Sequence, residues 1–168
     1  MGYEEDSIQQ KMVKSVFVFN IAKFVSWPEE VYQKRSKKFI LCHFLEDSLG
    51  VGFEIIRNRN VSGRNLSKRV SLTLEEAKIC DILFVGSGRL EDFLEQSPQS
   101  DLAEVLVVAD RTQALSKGQA FVGVHISLVR EQSNIGFEIN LSEISKSKIE
   151  LSPKLLELST IVGENQSY

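Results

Sequence analysis

The 168-residue chain is predicted to form a single α/β domain, with a mixed, mostly parallel sheet flanked by helices and a C-terminal antiparallel hairpin. The parallel part rests on three continuous apolar runs, Phe39–Phe44, Ile82–Val85 and 105–109, which alternate with segments of helical character. Such runs are typical of parallel strands covered on both faces. The hairpin rests on alternating apolar residues in 121–129 and 135–141, which flank a polar turn.

Composition and charge are those of an ordinary globular protein, with 42% hydrophobic and 26% charged residues. We expect one domain over residues 7–162, with flexible ends at 1–6 and 163–168. The net charge of −3 gives no electrostatic reason to expect nucleic acid. No apolar run approaches the ~20 residues that span a bilayer. Residues 1–6 lack the features of a signal peptide, and whether one was removed ahead of them stays open.

A long amphipathic helix is predicted over residues 7–26. Its apolar residues recur at steps of three and four, and Pro28 ends it because the residue before a proline disfavours helical angles. Phe19 and Trp27 fall outside the main apolar stripe. Two interpretations stay open: a surface for self-association or a partner, or, for Trp27, a plug that packs the helix end against the core.

Turn and cap signals order the elements between the first apolar runs. The basic run 34–38 is expected to be mainly solvated loop, and a short helix is predicted near 51–57. One or two short strands are predicted within 61–74. Gly86-Ser87-Gly88 then turns the chain into an amphipathic helix over 89–96.

The last third of the chain contains shorter predicted elements around the hairpin. A short helix is predicted over 112–116, another around Ile144, and a short strand over 149–151. Pro153 begins a final helix, since proline suits the first helical position. Glu138 points away from the apolar face of its strand, so we expect it at the surface or at an edge.

Ser87, Gly88 and Arg89 form the clearest candidate ligand site. A glycine-rich turn after a strand and before a helix can place backbone amides around a phosphate, and Arg111 follows the next strand. The position of the third fingerprint glycine holds Glu91, however, and a carboxylate opposes an anionic ligand. A tight strand-to-helix turn is therefore the favoured alternative.

The remaining reactive side chains do not form a recognisable catalytic or metal site. Asp110 ends a predicted strand and suits a cap better than a base, and His43 and His125 lie inside predicted strands. A zinc site would need both histidines and both cysteines, whose spacing is irregular. We therefore expect no catalytic residue, no metal and no cofactor. From the residues alone, Cys42 and Cys80 could equally be buried thiols or a disulfide.

Five motifs follow one another along most of the chain. They are Asn-Ile-Ala-Lys-Phe-Val-Ser-Trp-Pro (20–28), Phe-Ile-Leu-Cys (39–42), Glu-Glu-Ala-Lys-Ile-Cys-Asp-Ile-Leu-Phe-Val (75–85), Phe-Glu-Ile-Asn-Leu (137–141) and Leu-Ser-Pro-Lys-Leu-Leu (151–156). In this order, the motifs resemble the YfiR family of small bacterial regulatory domains over about residues 11–162. No single motif among them carries an active site.

The resemblance implies a non-enzymatic periplasmic regulator that contacts the periplasmic domain of a membrane-bound diguanylate cyclase, lowering cyclic di-GMP and biofilm formation. It also implies a YfiB-type outer-membrane lipoprotein as a second partner, and we expect a homodimer. It further implies a disulfide between Cys42 and Cys80, whereas a second cysteine pair of some relatives is absent. The alternative function is a periplasmic sensor that binds a small molecule near Ser87, Gly88, Arg89 and Arg111.

Overall fold

A computed structural model describes residues 5–114 and 118–163. Its helices are α1 (Ile8–Ala22), α2 (Glu29–Lys34), α3 (Leu90–Gln96), α4 (Leu141–Lys146) and α5 (Pro153–Glu157). Its strands are β1 (Val25–Ser26), β2 (Phe39–Phe44), β3 (Asn60–Val61), β4 (Arg64–Ser71), β5 (Ile82–Val85), β6 (Leu106–Asp110), β7 (Ile126–Glu131), β8 (Asn134–Asn140), β9 (Glu150–Leu151) and β10 (Thr160–Val162). Short 3₁₀ helices lie at Gly50–Ile55, Glu76–Ile79, Ser87–Arg89 and Ser97–Gln99.

Eight of these strands form one mixed sheet in the order β10-β8-β7-β6-β5-β2-β4-β3, and β1 pairs separately with β9. Strands β4, β2, β5, β6 and β7 are parallel to one another, while β8 is antiparallel to β7. The predicted α/β class, with a mostly parallel sheet and a C-terminal antiparallel hairpin, is confirmed.

The central strands send alternate side chains to two separate apolar cores. Phe39 and Leu41 of β2 join a core with residues of α1, α2 and α5, whereas Cys42 and Phe44 join a core that includes Phe93 of α3. Every residue of β2, β5 and β6 is buried. Because both faces are covered, these strands read as continuous apolar runs in the sequence.

Helix α1 begins at a capping box and ends earlier than predicted. Ser7 Oγ accepts the backbone N–H of Gln10 at 3.1 Å, and the Gln10 side chain accepts the Ser7 N–H at 2.7 Å. The predicted continuation to residue 26 is wrong, because Val25–Ser26 pairs with Glu150–Leu151 as β1 and β9. A pairing with a distant part of the chain thus overrides the local helical periodicity.

The buried face of α1 also differs from the predicted apolar stripe. Its buried residues are Lys14, Ser15, Val18, Phe19, Ile21 and Ala22. Phe17 and Phe24 of the predicted stripe are only partly buried, and with Ile21, Phe137 and Leu155 they line an apolar groove of about 180 Å³. The apolar stripe therefore lies beside the buried face of α1 and only partly coincides with it.

Two further elements differ from the prediction. The strand expected from residue 121 begins only at Ile126, after a turn, and β10 was not predicted. The expected short strand near 149–151 exists but pairs with β1 outside the main sheet. The helix predicted over 112–116 lies partly outside the described residues.

A buried carboxylate, Asp81, joins the starts of β2 and β4. Its Oδ2 accepts the backbone N–H of Ile40 at 2.8 Å, and Arg64 donates to both carboxylate oxygens at 3.0 Å. Arg35, after α2, lies 3.7 Å from Asp81 Oδ1, and its side chain is only 4% exposed. Arg35 belongs to the basic run expected to be solvated, and that expectation is wrong for this residue.

Cys42 of β2 and Cys80, two residues before β5, form a disulfide. Both residues are completely buried, and they are separated by 38 positions in the sequence. The pairing implied by the family resemblance is confirmed. The bridge lies in the core next to α3 and ties two neighbouring strands together covalently.

Replacing both cysteines with alanine should lower the free energy of unfolding by about 4 kcal/mol, because the bridge no longer restricts the unfolded chain. Chemical denaturation under oxidising conditions measures the change. Reductant should destabilise the wild type and leave the double variant unaffected, which provides the matched control. A loss below about 1 kcal/mol would mean that the bridge contributes little to stability.

Candidate functional site

The sheet topology places a crevice at the carboxyl ends of β2, β5 and β6. From β2 the chain crosses to β4 on one side and later to β5 on the other, so the strand order reverses between β2 and β5. Open α/β sheets bind ligands outside the carboxyl ends of their strands at such a point. Here a cavity of about 50 Å³ is lined by residues at or beyond the ends of these strands, among them Ser48, Ser87 and Asp110.

A lysine from α1 occupies this crevice. Lys14 is only 1% exposed, and its Nζ lies 2.6 Å from Asp110 Oδ2 and also contacts the carboxylate of Asp6. Asp110 Oδ1 accepts the backbone N–H of Thr112 at 3.0 Å and the Thr112 hydroxyl at 2.6 Å. Both oxygens of Asp110 are thus engaged, Oδ2 by Lys14 and Oδ1 by Thr112. The role of a helix cap stays a prediction, because the helix expected after Asp110 lies partly outside the described residues.

Carboxylates outnumber ammonium groups around the crevice. The charged residues that line it are Glu5, Asp6, Glu46, Asp47 and Asp110, together with Lys11 and Lys14. Both lysines of the lining are already paired with carboxylates, so neither is left to neutralise a bound anion. The volume of the cavity accommodates only about one or two water molecules. The geometry therefore does not support the phosphate chemistry that the sequence suggested here.

Ser87, Gly88 and Arg89 form the 3₁₀ turn between β5 and α3. This is the tight strand-to-helix turn that the sequence analysis favoured for the segment. Ser87 Oγ donates to the carbonyl oxygen of Asp110 at 3.2 Å. Arg89 Nε donates to Glu46 Oε2 at 2.8 Å, so its guanidinium is already held by a carboxylate. Ligand binding by these residues stays a prediction.

Arg111 lies apart from these residues, in a buried ion pair. Its Nη1 donates to Glu138 Oε1 at 3.2 Å, and Glu138 Oε2 accepts the backbone N–H of Gly118 at 2.8 Å. Glu138 is only 3% exposed, so its expected position at the surface is wrong. Of the four predicted ligand residues, Ser87 alone lines the crevice, and the fold does not bring Arg111 to it.

His43 lies behind the crevice and is completely buried. Its ring packs edge-on against Phe84, and its Nε2 lies 3.5 Å from Asp47 Oδ1. Within the described residues, neither ring nitrogen has a hydrogen-bond partner. Burial lowers the pKa of His43 to about 4 even though the Asp47 carboxylate opposes this change. The imidazole is therefore neutral at pH 7.

Phe19 and Trp27 are buried, with 8% and 5% of their surface exposed. Trp27 Nε1 donates to the carbonyl oxygen of Glu104 at 2.9 Å, and the indole packs edge-on against Tyr32 and Phe39. The prediction of an exposed aromatic surface is wrong for these two residues. The alternative for Trp27, a plug between the helix end and the core, describes its position.

Sequence reasoning did not identify Lys14 as part of any site. A lysine within an amphipathic helix is normally solvated, and Lys14 is one of several lysines in the N-terminal region. Its burial depends on carboxylates from Asp6 and from Asp110, 96 positions away. The available signal was Asp110 itself, which is a charged residue at the end of an otherwise apolar strand.

A family model described as YfiR/HmsC-like matches residues 11–160. This match spans most of the chain. The chain belongs to the YfiR/HmsC-like family. A comparison with curated proteins gives no match. Within residues 5–114 and 118–163, no helix combines the length and the apolar character needed to cross a membrane.

The YfiR/HmsC-like region contains Lys14, Asp110 and both cysteines, but it begins after Asp6. The carboxylate of Asp6, which contacts Lys14, is therefore supplied by a segment ahead of the matched region. Glu5 extends the same segment, because its carboxylate lies 3.1 Å from the ammonium group of Lys11. Glu5 and Asp6 are thus each attached to α1 by an ion pair.

His43 should make the YfiR/HmsC-like domain sensitive to acid. The pKa of His43 is about 4 in the folded protein and near 6.5 in the unfolded chain. The unfolded chain therefore binds the proton first, so that stability is lost as the pH falls from about 6.5 towards 4. Between pH 7 and pH 4.5, His43→Leu should lose less unfolding free energy than the wild type, by about 2–3 kcal/mol.

Urea denaturation of both proteins at the two pH values measures this difference. His125, whose pKa burial also lowers to about 4, is present in both proteins and cancels in the comparison. Equal losses in the two proteins would show that His43 does not resist protonation in the fold.

Proposed function

We propose that this protein is a non-enzymatic periplasmic regulator that restrains a membrane-bound diguanylate cyclase by contacting its periplasmic domain. The restraint lowers cyclic di-GMP and with it biofilm formation. The observation that carries the proposal is the YfiR/HmsC-like match over residues 11–160. A YfiB-type outer-membrane lipoprotein that sequesters the regulator, and a homodimer of the regulator, belong to the same proposal.

The buried disulfide supports the periplasmic location. Stable disulfides form in oxidising compartments such as the bacterial periplasm and are rare in the cytosol. The Cys42–Cys80 bridge lies within the core and connects neighbouring strands, so it forms part of the folded structure. A protein that depends on such a bridge is suited to a compartment in which the bridge persists.

The closed crevice supports regulation through protein contact. The position where α/β folds commonly bind substrates is filled by Lys14 and its carboxylate partners. Large apolar side chains are instead exposed at separate places on the surface. Leu72 follows β4, Val122 precedes β7 and Leu158 follows α5, and each is 61% exposed. These three residues follow or precede different elements, and each offers apolar surface that a partner can contact.

Co-expression with membrane cyclases of the same genome tests the proposal. The full chain is exported to the periplasm, and cyclic di-GMP is quantified with each cyclase in turn. One cyclase should yield several-fold less cyclic di-GMP when the regulator is present. If cyclic di-GMP is unchanged with every cyclase while the folded, oxidised protein is present in the periplasm, the proposal is wrong.

Leu72→Glu, Val122→Glu and Leu158→Glu then locate the contact face. Equal exposure makes the three variants matched controls for one another, because surface substitutions usually change stability by less than about 0.5 kcal/mol. A variant in the contact should lose inhibition at an unchanged unfolding midpoint, while variants elsewhere should retain it.

A further inference from the structure

A second cavity, of about 240 Å³, lies at the opposite edge of the sheet from the Lys14 crevice. Residues that precede β6 and β7, among them Ala103 and His125, line it, together with Glu143 and Ser147 from the region after β8. Its volume is below the roughly 300–1,000 Å³ of pockets for drug-sized ligands, so it suits a smaller molecule. Neither the family match nor the proposed regulation assigns a role to this cavity.

His125 supplies a fixed hydrogen-bond donor in the wall of the cavity. The residue is 4% exposed, and its Nδ1 accepts the backbone N–H of Val107 in β6 at 2.9 Å. Because Nδ1 acts as an acceptor, the proton of the neutral ring lies on Nε2. Among the described residues, Nε2 has no hydrogen-bond partner. The hydrogen bond from Val107 therefore occupies Nδ1 and leaves the Nε2–H available to a ligand.

The other polar groups in the wall are mainly acceptors. The hydroxyls of Ser97 and Ser100 donate to backbone carbonyl oxygens and so present oxygen lone pairs to their surroundings. Ser147 Oγ also donates to a carbonyl oxygen, but it already accepts the backbone N–H of Ile149. The carboxylates of Asp101 and Glu143 add further acceptors. The wall therefore combines one buried neutral donor with several acceptors.

The charge of the wall selects against anions. Among the described residues that line the cavity, Lys146 is the one cation beside Asp101 and Glu143, and it already lies 3.3 Å from Glu143 with a 65% exposed side chain. Lys148, outside the lining, also interacts with Asp101 but is held 3.0 Å from Glu104. A carboxylate ligand would meet two like charges, and one neutral N–H would not compensate its desolvation. A carbonyl group with adjacent N–H groups matches the wall without this cost.

We propose that this cavity binds a small uncharged amide, whose carbonyl oxygen accepts the His125 Nε2–H and whose N–H groups donate to the carboxylates of Asp101 and Glu143. Apolar side chains in the wall, such as Leu102, contact the rest of the ligand. The proposal does not depend on which partner the protein regulates, and it can hold even if the proposed inhibition of a cyclase fails.

Benzamide and benzoate form a matched pair of probes, because they differ in the amide and carboxylate groups and share one ring. Titration of the oxidised full chain, followed by calorimetry and by NMR, should show saturable binding of benzamide. Benzoate should bind at least about tenfold more weakly, since one unfavourable charge contact of about 1.4 kcal/mol has this effect. Absence of saturable benzamide binding, or equal binding of benzoate, would overturn the proposal.

Two substitutions separate the structural nitrogen of His125 from the ligand-binding nitrogen. In His125→Asn the amide oxygen takes the position of Nδ1, so the bond from Val107 is retained while the Nε2–H is lost. In His125→Gln an amide N–H replaces the Nε2–H and the acceptor for Val107 is lost. His125→Asn should bind benzamide about tenfold more weakly or worse, whereas His125→Gln should retain most of the affinity.

Benzamide binding to His125→Asn with wild-type affinity would contradict the assignment of Nε2. Val122→Trp provides a test that does not alter the buried ring. Val122 lines the cavity and is 61% exposed, so an indole at this position should cover the cavity without disturbing the core. Unchanged benzamide affinity in Val122→Trp would place the bound amide elsewhere and overturn the proposal.

Discussion

The ion pair between Lys14 and Asp110 is the interaction on which the arrangement of the domain depends. A buried ammonium group is tolerated only when carboxylates and hydrogen bonds compensate its lost hydration. Lys14 is carried by α1, and Asp110 ends β6 at the centre of the sheet. The pair therefore fixes the N-terminal helix over the carboxyl edge and fills the crevice in which related sheet topologies bind ligands.

The amino edge of the sheet is held by different interactions. Asp81 joins β2 and β4 through Ile40 and Arg64, and the neighbouring Cys80 is bonded to Cys42. The Asp81 contacts lie at the starts of β2 and β4, whereas the disulfide reaches Cys42 inside β2, within the apolar core on one face of the sheet. With the crevice filled, the exposed surface is the part of the domain that remains for the protein contacts proposed above.

Patterns with a local cause could be predicted from the sequence. The runs at Phe39–Phe44 and Ile82–Val85 form buried parallel strands, because burial on both faces produces a continuous apolar run. The alternating segments form the β7–β8 hairpin, although Ser127 of β7 and Glu138 of β8 are buried as well. Features set by distant partners could not be predicted in this way. Residues 25–26 pair with β9 and are not part of the helix, and Trp27 is buried with its Nε1–H bonded to the carbonyl oxygen of Glu104. Glu138 is buried because it pairs with the buried Arg111.

A double-mutant cycle on Lys14 and Asp110 tests most directly whether this pair holds the crevice closed. Lys14→Met and Asp110→Asn should each lower the free energy of unfolding by about 3–5 kcal/mol, since either change leaves a buried group without its partner. The double variant should lose less than the sum of the two, by about 2–3 kcal/mol. Losses that add within about 0.5 kcal/mol would show that the two side chains do not interact, and the account of the closed crevice would be wrong.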